Sequence, residues 1–131
     1  MEKSDYHFSF EDLLVYQKAM EFGEVVNKIV KKLPVEERFE LRSQFMRAAD
    51  SIALNIAEGS AGSDAQFYNF LGHSLYSANE CVSCNTKARL RKYITYEEFE
   101  KNRELLTELT KMIISLRKKI SNRLNNLTPK T

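Results

Sequence analysis

Only four glycines, two prolines and no tryptophan occur among the 131 residues. So few backbone punctuators argue against a fold of many short strands joined by tight turns and favour long helices. Cysteine is equally scarce: Cys81 and Cys84 stand three apart inside a helical pattern, which gives no disulfide framework and fits a reducing compartment. No run of 18 apolar residues occurs, and the opening MEKSDYHFSFED is polar and acidic, so neither a spanning helix nor an export signal is expected. A cytoplasmic location follows as the expectation. The formal net charge of +2 is too small to name a partner. Its distribution is uneven: residues 1–86 hold 8 Lys/Arg and 13 Asp/Glu, a net of −5, whereas residues 87–131 hold 12 and 5, a net of +7.

Apolar residues recur with helical periodicity. Ser9, three before Asp12, is expected to cap a first helix whose seam is Val15, Ala19, Phe22, Val26, Ile29 and Leu33, ended by Pro34. Glu36 and Glu37 open a second helix that runs through Phe39 and Leu41 to a left-handed cap at Gly59. The GSAGS turn follows, and Ser63 with Gln66 forms a capping box for a third helix from about Asp64 to 91–94, with Tyr68, Leu71, Leu75, Ala78 and Val82 inward. Thr95 with Glu98 repeats that signature before a fourth helix, whose seam is Leu106, Leu109, Ile113, Leu116 and Ile120, extended by Leu124 and Leu127. Asn125, Asn126, Thr128 and Pro129 mark a fraying end. Four long segments with short connections predict an all-α, up-down-up-down antiparallel four-helix bundle, a single domain with its core over about residues 9–124. Apolar residues beyond the seams, such as Leu13, Leu14, Tyr16, Phe67, Phe70 and Tyr76, suggest a homo-oligomer.

The stretch from Gln44 to Gly59, QFMRAADSIALNIAEG, organises the rest. Phe45, Ala49, Ile52 and Ile56 form a core stripe, and Gln44, Arg47, Ser51, Asn55 and Glu58 form a polar line beside it. Periodicity leaves open whether that line is a solvated face or a hydrogen-bonding layer that sets helix or subunit register.

Catalytic and metal chemistry find little footing. The Cys81/Cys84 pair lies mid-helix, where no helix N-terminus lowers a thiol pKa, and packing explains it. His73 could share a face with Cys81, but a zinc site needs about four converging ligands, and His7 is the only other histidine. Glu58 and Glu80 are the carboxylates expected to face inward, as hydrogen-bond acceptors or partners of Arg47. No Glu-x-x-His pattern, phosphate loop or nucleophile elbow appears, so no cofactor, metal or catalytic residue is assigned. Two basic clusters, Lys87, Arg89, Arg91, Lys92 and Arg117, Lys118, Lys119, Arg123, close the third and fourth helices, where cations suit the dipole. Repeated around an oligomer they would also make a phosphate-binding surface.

FEDLLVYQKA at 10–19, QFMRAADSIALNIAEG at 44–59 and Ser77-x-x-Glu80 together resemble the 23S ribosomal RNA intervening-sequence protein family over about residues 8–118. The most specific match is Arg47, Ala48, Ser51, Ile52, Asn55, Ile56, Ala57, Glu58 and Gly59. The resemblance implies a four-helix bundle, commonly a ring-shaped pentamer without established catalysis. It also implies kinship with the accessory variability determinant of diversity-generating retroelements, a nucleic-acid-binding pentamer. Tyr76 departs from the family, which commonly has glycine before the serine at position 77, and puts the close helix contact expected there in question. The resulting expectation is a non-enzymatic homo-oligomer binding structured RNA or DNA through the two basic clusters. Gln44, Arg47, Ser51, Asn55, Glu58, Gly59, Ser77 and Glu80 are the motif or interface residues. The alternative is a protein–protein scaffold with no nucleic-acid role.

Overall fold

The computed structural model describes residues 2–127 and contains four α-helices: α1 (Leu14–Val30), α2 (Leu41–Ser60), α3 (Asp64–Leu90) and α4 (Tyr96–Leu127). Pairings between helices give their directions. Lys18 pairs with Glu108 and Lys32 with Glu98; Ser77 meets Ser51 and Ser74 meets Ile52; Asn85 meets Asn102 and Tyr68 meets Arg117. In each set one number rises as the other falls, so α1 runs against α4, α2 against α3 and α3 against α4. Around the bundle the order is α1, α2, α3, α4, with α2 and α4 on one diagonal.

Helix starts follow local chemistry. At α3 the Ser63 hydroxyl accepts from the Gln66 N–H at 3.2 Å while Gln66 Oε1 accepts from the Ser63 N–H at 2.8 Å. At α4, Thr95 Oγ1 accepts from the Glu98 N–H at 3.1 Å and Glu98 Oε1 accepts from the Thr95 N–H at 2.9 Å. Both capping boxes stand where the sequence places them. The first two helices start later than expected. Residues Ser9–Asp12 form a 3-10 turn, fastened by the Phe8 N–H donating to Glu11 Oε1, and the extended backbone of Leu13 separates it from α1. Ser9 therefore does not cap α1. A second 3-10 turn at Val35–Glu37 precedes α2, and Phe39 lies in the break, 81% exposed, rather than inside the helix. Asn125 and Asn126 lie within α4; Thr128 and Pro129 lie outside the described residues.

The α3–α4 turn ends α3 with two nested bonds: Tyr93 N–H donates to Ala88 O and Lys92 N–H to Arg89 O, both at 2.9 Å. This is a Schellman closure, and the residue that takes its left-handed position is Lys92, with φ 63°. Gly59 is not such a cap. No glycine has positive φ, and Gly59 is helical and faces α3, where an added Cβ would lie 2.5 Å from Phe70 Cβ. Its value is closeness.

One apolar core runs through all four helices, with Phe22, Phe45, Ile52, Ile56, Leu71, Leu106, Leu109, Ile113 and Ile120 at its centre. Each large side chain so buried contributes about 1.5–3 kcal/mol. Within it lies one polar pair: Asn102 Nδ2 donates to Asn85 Oδ1 at 2.8 Å, and Asn85 Nδ2 donates to Phe99 O at 3.1 Å. The α1–α4 seam is more open. It carries two grooves of about 490 and 390 Å³, one bordered by Leu14, Lys111 and Lys119, the other by Val25, Lys32 and Asn102.

Candidate functional site

The polar line of α2 faces neither the core nor bulk water alone. It lies along the outer edge of the seam with α3. Asn55 Nδ2 donates to Ser51 O and Ser51 Oγ at 2.8 and 2.9 Å, and Ser77 Oγ donates across the seam to Ser51 Oγ at 3.0 Å. Deeper in, the buried Ser74 hydroxyl donates to Ile52 O at 2.9 Å. Gln44, Ser51, Asn55 and Ser77 are half-buried, whereas Arg47, Glu58 and Glu80 are exposed. The inward placement expected for Glu58 and Glu80 is therefore overturned: their positions turn outward on α2 and α3. Arg47 folds along its own helix, its Nε donating to Ser43 O at 3.4 Å, rather than pairing with either glutamate.

Tyr76 also points outward, 72% exposed, so its ring stays clear of the α2–α3 contact. His73 stands between Phe70 and Tyr76, in edge contact with both at 6.1 and 6.4 Å. It is exposed while Cys81 is buried, so the two share no face. Burial pushes both thiols up, Cys81 far beyond the ordinary range and Cys84 to about 11, so neither offers a reactive thiolate near neutral pH. No cluster of three or more His, Cys, Asp or Glu side chains suited to a metal ion occurs among the described residues.

The two basic clusters divide by residue type. Arg89 Nη1 donates to Ile94 O at 3.1 Å and so fastens the α3–α4 turn, and Arg91 pairs with the buried Glu37 carboxylate at 2.6 Å. Arg117 lies over the Tyr68 ring at 3.9 Å and donates from Nε to Tyr68 O at 3.1 Å. It rests against Gly72, where an added Cβ would come within 2.9 Å of Nη2. Arg123 grips Asp64 with two bonds of 3.0 and 3.1 Å, which hold that carboxyl below its ordinary pKa. All four arginines are thus engaged within the chain, as their planar, multidentate head groups favour. Lys87, Lys92, Lys118 and Lys119 are exposed and take part in no ion pair among the described residues. Glu98, in the acidic first turn of α4, pairs with Lys32 of α1 rather than with this cluster.

Two features escape the periodicity reading. Residues 109–131 contain no Asp or Glu, so Lys111, Lys118 and Lys119 lie in an acid-free part of the chain. Between α1 and α2 runs a groove of about 240 Å³, floored by Ala19, Gly23, Ala49 and Ala53 and bordered by Met20, Leu54, Glu24 and Asp50. Partial burial, reinforced by Glu24, raises the Asp50 carboxyl pKa. Spacing alone does not show that α1 and α2 leave such a space.

No helix among the described residues is long and apolar enough to cross a membrane. A family model described as 23S rRNA-intervening sequence protein matches residues 11–115. A crystal structure of a protein of unknown function from the S23 ribosomal protein family of Bacteroides thetaiotaomicron VPI-5482 superposes with a TM-score of 0.75 at 33% identity, covering 80% of this chain and 96% of that one. No curated protein matches the chain. The match over most of the sequence, the helical bundle and the polar line on α2 converge: the chain belongs to the 23S rRNA-intervening sequence protein family.

Proposed function

We propose that the protein is a non-enzymatic, homo-oligomeric bundle, a ring-shaped pentamer, that holds structured RNA through phosphate contacts. The observation that carries the reading is the set of lysines left over once the arginines are engaged: Lys87 and Lys92 at one end of the bundle, Lys118 and Lys119 toward the other. Mobile ammonium groups on exposed helix faces suit backbone phosphates, which position a nucleic acid without reading its sequence. Repetition around an oligomer multiplies this modest charge. The family's name, which ties it to 23S rRNA, favours RNA over DNA.

A second reading is a protein scaffold that works through the outer α2–α3 face. It is supported by Leu54 and Tyr76, 64% and 72% exposed, beside Arg47, Asn55 and Glu58. One titration separates the two. Binding of a labelled structured RNA, followed by fluorescence anisotropy at several salt concentrations, should weaken when Lys87→Glu and Lys119→Glu are combined. The slope of log Kd against log salt should fall by about one for each lysine–phosphate pairing removed. Unchanged affinity and slope would sink the RNA reading and leave the scaffold.

A further inference from the structure

The outer side of α2 presents Asp50, Leu54 and Glu58 on successive turns: two exposed carboxylates with an exposed leucine between them. The outer side of α4 presents the counterpart, Lys111, Ile114 and Lys118: two exposed lysines with Ile114, 52% exposed, between them. None of the four charged groups forms an ion pair among the described residues. Because α2 and α4 occupy one diagonal of the bundle, these lines cannot meet within a chain.

Their heights along the bundle agree. Ser51 and Ile52 meet Ser77 and Ser74, which puts Leu54 level with about His73. The Tyr68–Arg117 and Asn85–Asn102 pairings put His73 level with residues 112–114 of α4. By the same stepping, since α2 and α4 run in the same direction, Asp50 stands level with residues 108–110 and Glu58 with residues 116–118. Each lysine is therefore within about three residues of the level of its carboxylate, an offset of no more than about 5 Å that a lysine stem spans. Both lines run toward the same end of the bundle. They extend about 12 Å on α2 and about 10.5 Å on α4.

We infer that the two lines are the halves of one contact between copies of this chain, Lys111–Ile114–Lys118 of one copy seated on Asp50–Leu54–Glu58 of the next. The inference rests on the self-association proposed for the protein and names the surfaces that perform it. Beside the acidic line, the α1–α2 groove with its small-residue floor gives Ile114 a recess against Met20 and Leu54. Glu24, across that groove, offers Lys111 a second carboxylate. Two different surfaces in like orientation make a head-to-tail contact, the kind that generates rings when its rotation closes. Lys118 then serves the subunit contact, and Lys87, Lys92 and Lys119 remain for phosphate.

Charge reversal tests this on the full chain. Asp50→Lys with Glu58→Lys, and separately Lys111→Glu with Lys118→Glu, should each weaken assembly at least about tenfold and shift the mass found by light scattering toward the monomer. Combining all four substitutions should restore assembly, because the same pairs reform with opposite polarity. All four positions are exposed, and thermal melting followed by circular dichroism is the check that each variant folds. An oligomer indifferent to either double reversal, or a folded quadruple variant that stays monomeric, overturns the contact alone. A wild-type chain that is monomeric at tens of micromolar overturns the self-association reading along with it.

Discussion

The seam between α2 and α3 and the seam between α1 and α4 belong to the same bundle and are built in opposite ways. At α2–α3 the backbones approach until Gly59 faces Phe70 with no room for a Cβ, and two serine hydroxyls bond across the joint, one of them buried. At α1–α4 long side chains hold the helices apart, and the described cross-links are two surface ion pairs, Lys18–Glu108 and Lys32–Glu98, with open grooves beside them. The first seam is stiff because small residues let helix ridges interlock; the second is adjustable because flexible, solvated side chains form it. A bundle with one tight and one loose seam keeps its motif face fixed while leaving grooves on the opposite side.

The largest disturbance of that contrast comes from the tight seam. Gly59→Ala puts a methyl group 2.5 Å from Phe70 Cβ, so the helices must separate. The expected loss is about 2–3 kcal/mol despite alanine's better helix propensity, read from chemical denaturation; an unchanged midpoint would show that the seam yields. Ser74→Ala removes the buried hydroxyl bond to Ile52 O and should cost about 1 kcal/mol in the same measurement. At the loose seam Lys32→Met should cost no more than about 0.5 kcal/mol. That smallest effect has a pH signature. The Lys32 hydrogen bond and the Thr95 backbone N–H lower the Glu98 pKa, so the pair's contribution is present above the ordinary glutamate pKa and lost as pH falls through the lowered folded value. Wild-type and Lys32→Met stability curves should therefore converge in acid; a constant gap would mean that the lysine acts through packing.

Much of the fold was legible because its signals are local. The capping boxes at Ser63/Gln66 and Thr95/Glu98 operate over four residues, and the core stripes of Phe45, Ile52 and Ile56 or Leu106, Leu109 and Ile113 follow from helical period. The misreadings have a common cause: they depended on partners that helical period does not encode. Gly59 looks like a helix stop until α3 is known to press on it, while the left-handed position falls to Lys92. Ser9 looks like a cap until Glu11 is seen to take the Phe8 N–H. The site was legible only as a set of residues. The line Arg47, Ser51, Asn55, Glu58 was found by spacing, but its place at the outer edge of a seam required α3. The basic clusters were found by charge, but that Arg117 is laid over Tyr68 while its neighbour Lys118 stays exposed required α3.

The Asn85–Asn102 pair has a consequence for how α3 and α4 find each other. A slide of one helical turn would leave apolar side chains still facing apolar side chains, since leucines and isoleucines accept many neighbours. The two amides accept only one alignment, in which Asn102 reaches Asn85 and Asn85 reaches Phe99 O; any other strands polar atoms in a dry interior at about 1–3 kcal/mol each. The pair therefore works as a key in a hairpin that is otherwise free to mesh at several notches, and it fixes the height at which the lysines of α4 are presented.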